Sequence, residues 1–327
     1  MTRGLSVVIP VLNESPSLRQ LYEEIRQVCE THRYDYEIIF VDDGSTDDSW
    51  QVIKSLSEQD SRIKALRFRR NFGKAAALMA GFARTTKPFV MTMDADLQDD
   101  PAEIPNFLAA LDKGADLVSG WKKIRHDPWH KVFPSRVFNW LVGAMTGVRL
   151  HDHNCGMKCY RREVLREIHI YGELHRFIPV LAAARGFRVS EIVIHHRPRQ
   201  FGRSKYGIGR FMKGFLDLLT VRFLTGFGAR PQHFLGGIGL IAFLVGGLIL
   251  TFLAMEWGTS RIIPGMDVVY LRERPIVIYS VGLLLLGAQL MSVGFLAELL
   301  TAYHIEHEKT YSLAEEIGNK QTGQDNS

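Results

Sequence analysis

Cysteine is scarce in this chain: Cys29, Cys155 and Cys159 are the only three in 327 residues, and no two form a C-x-x-C pair. That excludes a disulfide framework and a zinc-ribbon pattern, and it points to a reducing compartment for the main domain. No G-x-G-x-x-G and no G-x-x-x-x-G-K-[ST] occurs, which argues against a dinucleotide cofactor and a P-loop ATPase. There is no internal repeat and no low-complexity tract before the polar tail beyond Glu315. What is present is a globular composition, 46% hydrophobic and 23% charged, which excludes a disordered, collagen-like or coiled-coil chain. The length fits roughly two domains at about 150 residues each.

Two stretches lack charge altogether, residues 234–255 and 275–297. Each is long enough, at about 1.5 Å per helical residue, to span the roughly 30 Å core of a bilayer. Two buried helices of a soluble core would look similar in isolation, but two such lengths in succession favour membrane spans. Residues 199–230 hold seven basic residues against one acid, Asp217, so the chain's net charge of +5 is concentrated just before the first span. The positive-inside rule then places the N-terminal domain, and with two spans both termini, in the cytosol. The intervening loop carries Arg261, Arg272 and Arg274 and weakens that signal. Residues 5–12 are too short an apolar run for a signal peptide and read as a buried strand. The predicted organisation is a catalytic domain over 1–205, amphipathic interface helices over 206–230, a two-helix membrane domain over 231–300 with spans near 234–257 and 275–297, and a cytosolic tail over 301–327.

From residue 5 to about 120, short apolar runs (5–11, 36–41, 63–68, 88–93, 115–119) alternate with helix-like stretches (16–31, 47–59, 73–85, 101–113). That rhythm predicts an α/β domain with a mostly parallel, Rossmann-like sheet. Ligands bind beyond the carboxyl ends of such strands. Polar clusters stand there: Asn13 and Glu14 after the first strand, Asp42 to Asp47 after the second, and Asp94-Ala95-Asp96 after the fourth. On extended chain, Asp94, Asp96 and Gln98 point to one side. Hard oxygen donors in that arrangement suit Mg²⁺ or Mn²⁺ shared with a diphosphate. Asp42 and Asp43 can accept from a base amide and ribose hydroxyls, although a turn leading into a capped helix explains them as well.

Four motifs follow one another in register: Val8-Ile9-Pro10-Val11-Leu12-Asn13-Glu14, Val41-Asp42-Asp43-Gly44-Ser45-Thr46-Asp47, Arg70-Asn71-Phe72-Gly73-Lys74, and Met93-Asp94-Ala95-Asp96-Leu97-Gln98-Asp99. Together they resemble the inverting family 2 glycosyltransferases of GT-A fold. With the two C-terminal spans they resemble the polyprenyl-phosphate glycosyltransferases of the dolichol-phosphate mannose synthase type. The resemblance implies that Pro10, Asn13, Glu14, Asp42, Asp43, Lys74 and Asp94 line the nucleotide pocket. It implies that Asp94, Asp96 and Gln98 hold the metal, and that Lys122, Arg125, Lys131 and Ser135 meet the acceptor phosphate. Arg199, Arg203 and Lys205 match a G-[KR]-[ST]-K pattern before the membrane part. With Lys131 and Asp96 they are the candidates for catalysis, and headgroup binding is the bland alternative for the basic residues. No Q-x-x-R-W motif is present, so one transfer per acceptor is expected rather than processive synthesis. The resemblance further implies a nucleotide-sugar donor, a polyprenyl phosphate acceptor and assembly into oligomers.

Apolar residues at helical spacing, Ile208, Phe211, Met212, Phe215, Leu219 and Phe223, suit a helix lying in the membrane interface, and Val137, Trp140, Leu141 and Ala144 form a weaker stripe. The cluster His151-Asp152-His153-Asn154-Cys155-Gly156 invites a zinc reading, which its crowding and the lack of a second ligand group exclude. It resembles a family signature in which relatives carry an aspartate base where this chain has Met157, leaving Asp152 as the nearest substitute. A phosphate monoester has a second pKa near 6 and needs no strong base to attack. A glycosyltransferase with another lipid or glycan acceptor, or a membrane scaffold that binds nucleotide sugars without turnover, are the alternatives. A third option, a nucleic-acid binder, is argued against by the two spans and by the lack of interleaved basic and aromatic residues.

Overall fold

The computed structural model describes residues 3–123, 129–197, 209–226, 231–263 and 268–305. The first part alternates β1 (Gly4–Val11), α1 (Leu18–Thr31), β2 (Asp35–Asp42), α2 (Ser49–Gln59), β3 (Ile63–Arg67), α3 (Lys74–Phe82), β4 (Phe89–Thr92), α4 (Ile104–Asp112) and β5 (Leu117–Trp121). It continues through α5 (Trp129–Thr146), β6 (Lys158–Arg161), α6 (Arg162–Glu167), α7 (Ile178–Ala184), β7 (Val189–Val193) and α8 (Gly209–Gly226). The seven strands form one sheet in the order β3-β2-β1-β4-β6-β5-β7. Only β6 runs antiparallel to its neighbours, β4 and β5. The mostly parallel sheet is thus present, with β6 and β7 added to the five strands read from the sequence.

Strand alternation sorts the core onto two faces. Val7 and Ile9 of β1 join the cluster built with α1, α2 and α4, whereas Val8 joins the cluster built with α3, α5, α7 and α8. With both faces covered, the central strands read as nearly unbroken apolar runs. The chain leaves β1 toward β2 and β3, then returns to β4 on the other side of β1. That reversal opens a crevice beyond the carboxyl ends of β1 and β4, where a parallel sheet receives its ligand.

One expectation is corrected here. Strand β4 stops at Thr92, and Asp94 to Gln98 lie on a turn in which Leu97 has φ 59°. Asp94 and Asp96 are not successive same-side residues of an extended strand, because the polar segment leaves the sheet as soon as the apolar run ends.

Contacts divide the chain into two compact units, the chain passing from the first to the second between Arg222 and Phe223. In the first unit α8 buries Leu218 and Val221 and leaves Leu216 and Leu219 exposed. Of the stripe read from the sequence, Leu219 therefore lies on the outward face, the side an interface helix would turn to lipid. On α5, similarly, Phe138 and Val142 are buried while Val137 and Trp140 are exposed.

The second unit contains α9 (Pro231–Ile262) and α10 (Pro275–Ile305). Residues Gln232–Ile262 and Pro275–Leu300 are long and apolar enough to cross a membrane, with only 17% and 11% of their most apolar stretches buried. A soluble core helix would be mostly covered, so this apolar surface marks a membrane protein. The two helices pack backbone to backbone: a Cβ on Gly246 would lie 2.7 Å from the Ser280 carbonyl, and one on Gly287 2.5 Å from the Phe243 amide. Such small-residue contacts are how helices associate where water supplies no hydrophobic drive.

Candidate active site

The loops after β1 and β2 are laced together. Asn13, at φ 59°, receives the Thr46 amide on its Oδ1 at 2.8 Å and donates its own amide to Ser45 Oγ at 3.0 Å. The Glu14 and Ser15 amides donate to Ser49 Oγ at 2.9 Å and Asp47 Oδ2 at 3.1 Å. Asp42 Oδ1 accepts the Ser45 amide at 2.8 Å, and its other oxygen faces Arg67 at 3.3 Å. Asp43 accepts the amides of Phe72 at 2.7 Å and Gly73 at 3.0 Å. Gly44 makes this crossing possible: it has φ +75°, and a Cβ there would lie 2.5 Å from the Arg70 carbonyl carbon. Pro10 sits beside Val41 in the β1–β2 register.

Gly73 and the start of α3 deliver Lys74 to the end of β4, where its Nζ meets Asp94 Oδ1 at 2.5 Å. On the other side Gly156 lies so close that a Cβ would come within 2.4 Å of Asp94 Oδ2. Asp96 is buried and accepts the Gln98 amide at 3.2 Å. Gln98 reaches His196 at 3.4 Å. Asp99 is fully buried beside Lys122, at 3.0 Å. Lys158, also buried, donates to the Cys155 carbonyl.

Three lysines and several carboxylates thus share one poorly solvated place. Burial works against the charge of Asp94, yet the Lys74 ammonium, with Lys122 and Lys158 behind it, holds its carboxyl down at about 2. Lys122 is raised: burial opposes its charge, but Asp99, Cys155 and Asp94 together outweigh burial. Lys158 goes the other way, pulled down by burial and by Lys74. Burial also drives His175 down to about 2, with Lys74, Arg176 and Lys158 adding to the effect. Apart from Lys122, which nearby acids match, these shifts run in the direction that neighbouring lysines impose, with burial the main cause for Lys158 and His175.

Next to this cluster a cavity of about 970 Å³ opens between the end of β5 and α5. Lys122, Lys123, Arg136 and Arg149 line it with Trp121 and His151, and among the described residues no acid does. In the His151–Gly156 stretch His153 is completely buried, and burial lifts the Cys155 thiol to about 12.

The crevice therefore gathers Asn13, Glu14, Asp42, Asp43, Lys74, Asp94, Asp96, Gln98 and Lys122. Asp152 is buried, with its Oδ1 accepting the Asn154 amide at 3.1 Å. Ser135 is half-buried on α5. Lys131 falls in α5, but its side chain lies outside the described residues, as do Arg125, Arg199, Arg203 and Lys205 altogether. Met157 is fully buried in the core, so residue 157 has no part in proton transfer. Sequence reasoning missed Asp99, Gly156, Lys158 and His175. The available signal for Lys158 was a lysine inside the otherwise apolar run from Met157 to Tyr160.

Comparison with known proteins agrees with this geometry. The model of the family described as glycosyl transferase family 2 matches residues 6–169. Dodecaprenyl-phosphate galacturonate synthase of Rhizobium johnstonii is 37% identical over 301 residues, covering 90% of this chain and 87% of that protein. Undecaprenyl-phosphate 4-deoxy-4-formamido-L-arabinose transferase of an Enterobacter strain is 34% identical over 300 residues, with 90% and 88% covered. Among solved structures, glucosyl-3-phosphoglycerate synthase from Mycobacterium tuberculosis, in complex with Mn²⁺, UDP and phosphoglyceric acid, aligns with TM-score 0.54 at 20% identity over 68% of this chain and 79% of its own. That likeness speaks for the fold of the sheet unit. With the four motifs at the crevice and two relatives spanning nine-tenths of its length, the chain belongs to glycosyl transferase family 2.

Proposed function

We propose that this protein transfers one sugar from a nucleoside diphosphate sugar to a polyprenyl phosphate, with inversion at the anomeric carbon. Both full-length relatives are named as polyprenyl-phosphate sugar transferases. The observation that carries the reading is the pairing of a carboxylate–lysine cluster at the crevice with an adjoining cavity lined by cations and aromatics. The first suits a nucleoside diphosphate and the second suits the phosphate of a lipid.

In the reaction an oxygen of the lipid phosphate attacks the anomeric carbon, a new C–O bond forms opposite the departing group, and the bond to the nucleoside diphosphate breaks. Asn13, Glu14, Asp42 and Asp43 shape the nucleotide end. Lys74 sits where it can follow the diphosphate, and Lys122, held by Asp99, stands between the two phosphates. Asp152 is buried and engaged, so positioning and charge, rather than a strong base, carry the step.

The donor set fits a divalent cation. Asp94 and Asp96 offer hard oxygens at the crevice, Gln98 follows them, and Asp94 already faces one positive charge. Among the described residues no cluster of three His, Cys, Asp or Glu side chains could hold a metal by itself, which leaves room for phosphate oxygens and water as the other ligands. Bound there, Mg²⁺ or Mn²⁺ would supply charge to the leaving diphosphate. The basic run ahead of the first span supports a cytosolic sheet unit, with both termini on that side.

The test is a screen of UDP- and GDP-sugars against short-chain polyprenyl phosphates, scored by lipid extraction. EDTA or Asp96→Ala should reduce transfer by about 10²–10³-fold. Undiminished turnover under both would overturn the metal role, and nucleotide-sugar binding without any product would favour a scaffold.

A further inference from the structure

Among the groups lining the cavity, His151 is held in a way that a solvent-exposed histidine does not require. Its backbone amide donates to Glu191 Oε2 at 2.8 Å, and its Nδ1 meets Glu191 Oε1. Its ring stacks on Trp121 with centroids 3.9 Å apart and planes 13° from parallel. The sheet builds this clamp. Parallel register sets Glu191 of β7 beside Ser119 of β5, and Trp121 follows two residues later on the same face. The His151 side chain is nevertheless 62% exposed while that of Glu191 is 17% exposed. An ordinary surface ion pair gains little and leaves both side chains free to move, whereas this ring has one orientation fixed from two sides. Glu191 occupies Nδ1, which assigns the ring's other nitrogen to the opposite edge. Nε2 is what the ring offers to the cavity, in the company of Lys122, Lys123, Arg136 and Arg149.

We propose that His151 is a catalytic residue that hydrogen-bonds, through Nε2, a non-bridging oxygen of the acceptor's phosphate monoester, and that Glu191 and Trp121 are its positioning residues. This rests on the reading of the cavity as the acceptor site. One proton lies between ring and phosphate, brought by the ring or by the monoanion of the ester. When another phosphate oxygen bonds to the anomeric carbon, the ester becomes a diester and loses one negative charge. The contact is therefore strongest before transfer, and its loss should appear in acceptor KM more than in kcat.

The experiment uses the full-length protein in detergent with a short-chain polyprenyl phosphate. His151→Phe keeps a ring to stack on Trp121 but has no N–H. It should raise acceptor KM by about tenfold to a hundredfold and leave donor KM unchanged. His151→Gln, which restores an amide nitrogen near the Nε2 position, should recover part of that loss, and Glu191→Gln should shift acceptor KM in the same direction by less. An unchanged acceptor KM in His151→Phe, or donor and acceptor KM rising together, would overturn the proposal. Calorimetric binding of the prenyl phosphate and of the matching prenyl alcohol separates this from the underlying reading. The wild type should prefer the phosphate and His151→Phe should lose that preference, even if no donor sugar is turned over. Equal binding of the phosphate by both proteins overturns the role of His151 and leaves the acceptor class standing. No transfer from any donor, with the preference intact, overturns the transferase reading and leaves His151 as the phosphate contact.

Discussion

Two pairs of acidic residues face the same crevice from neighbouring parts of the sheet, and one member of each, Asp43 and Asp94, is held in the opposite way to the other. Asp43 spends its oxygens on the backbone amides of Phe72 and Gly73, and Asp42 divides its own between the Ser45 amide and Arg67. Asp94 instead faces a lysine, and Gly156 keeps space open beside it. A carboxylate bonded to amides fixes the course of a loop and has no comparable partner to exchange. One bonded to an ammonium can trade that cation for another. Asp43 should therefore cost stability when lost, and Asp94 should cost turnover.

The sharpest form of this contrast is a double measurement, of transfer rate and of unfolding midpoint. Asp96→Ala should show its hundredfold or greater loss of transfer with a smaller drop in unfolding midpoint than Asp43→Ala, since the Gln98 amide contact it gives up is long, at 3.2 Å. Asp43→Ala leaves the part-buried amides of Phe72 and Gly73 without their acceptor, and hydrogen bonds to a charged group are worth about 1.5–3 kcal/mol each. A destabilisation of about 2–4 kcal/mol should follow, read as a lowered midpoint in detergent. If Asp43→Ala melts like the wild type, the distinction between the two pairs fails.

Gly156→Ala probes the second pair without touching a carboxylate. The added methyl would sit 2.4 Å from Asp94 Oδ2 and 2.6 Å from Cγ. It meets the far end of a side chain, whose tie is to the flexible Lys74 ammonium and which can swing away at small cost to the fold. Swinging displaces the carboxylate by roughly the distance at which misplacement costs up to about a hundredfold in rate. Transfer should fall by about tenfold to a hundredfold at an unchanged melting temperature. Normal transfer in this variant would show that the place of Asp94 does not matter.

The sequence exposed the strands whose apolar runs are buried on both faces, such as Val7, Val8 and Ile9 of β1, because their pattern is local. It did not expose β6, only four residues long and containing a lysine, or β7, whose residues Val189 to Ile192 are only half-buried. The acidic motif at 94–98 was legible in composition but not in shape, since it occupies a turn with Leu97 at positive φ. Asp99 beside Lys122, Gly156 beside Asp94 and Glu191 beside His151 are partners 23, 62 and 40 positions apart. Only the finished sheet brings them together, so no local spacing announces them.

The smallest effect expected tests whether Lys74 acts as an exchangeable cation. Its Nζ holds Asp94 Oδ1 at 2.5 Å, so a divalent ion arriving alone must compete with an ammonium for that oxygen. A nucleoside diphosphate changes the balance by giving the ammonium another anion to follow. Lys74→Met removes the competitor and the helper together. Without nucleotide, Mn²⁺ should then bind more tightly, by about tenfold for the loss of one favourable contact of roughly 1.4 kcal/mol. In the presence of UDP or GDP it should bind no more tightly than to the wild type, because the diphosphate has lost its lysine. Titration of Mn²⁺ followed by electron paramagnetic resonance reads both arms without turnover. Equal Mn²⁺ affinity with and without the lysine in the nucleotide-free protein would mean that Asp94 is as firmly committed as Asp43, and the contrast between the two pairs would disappear.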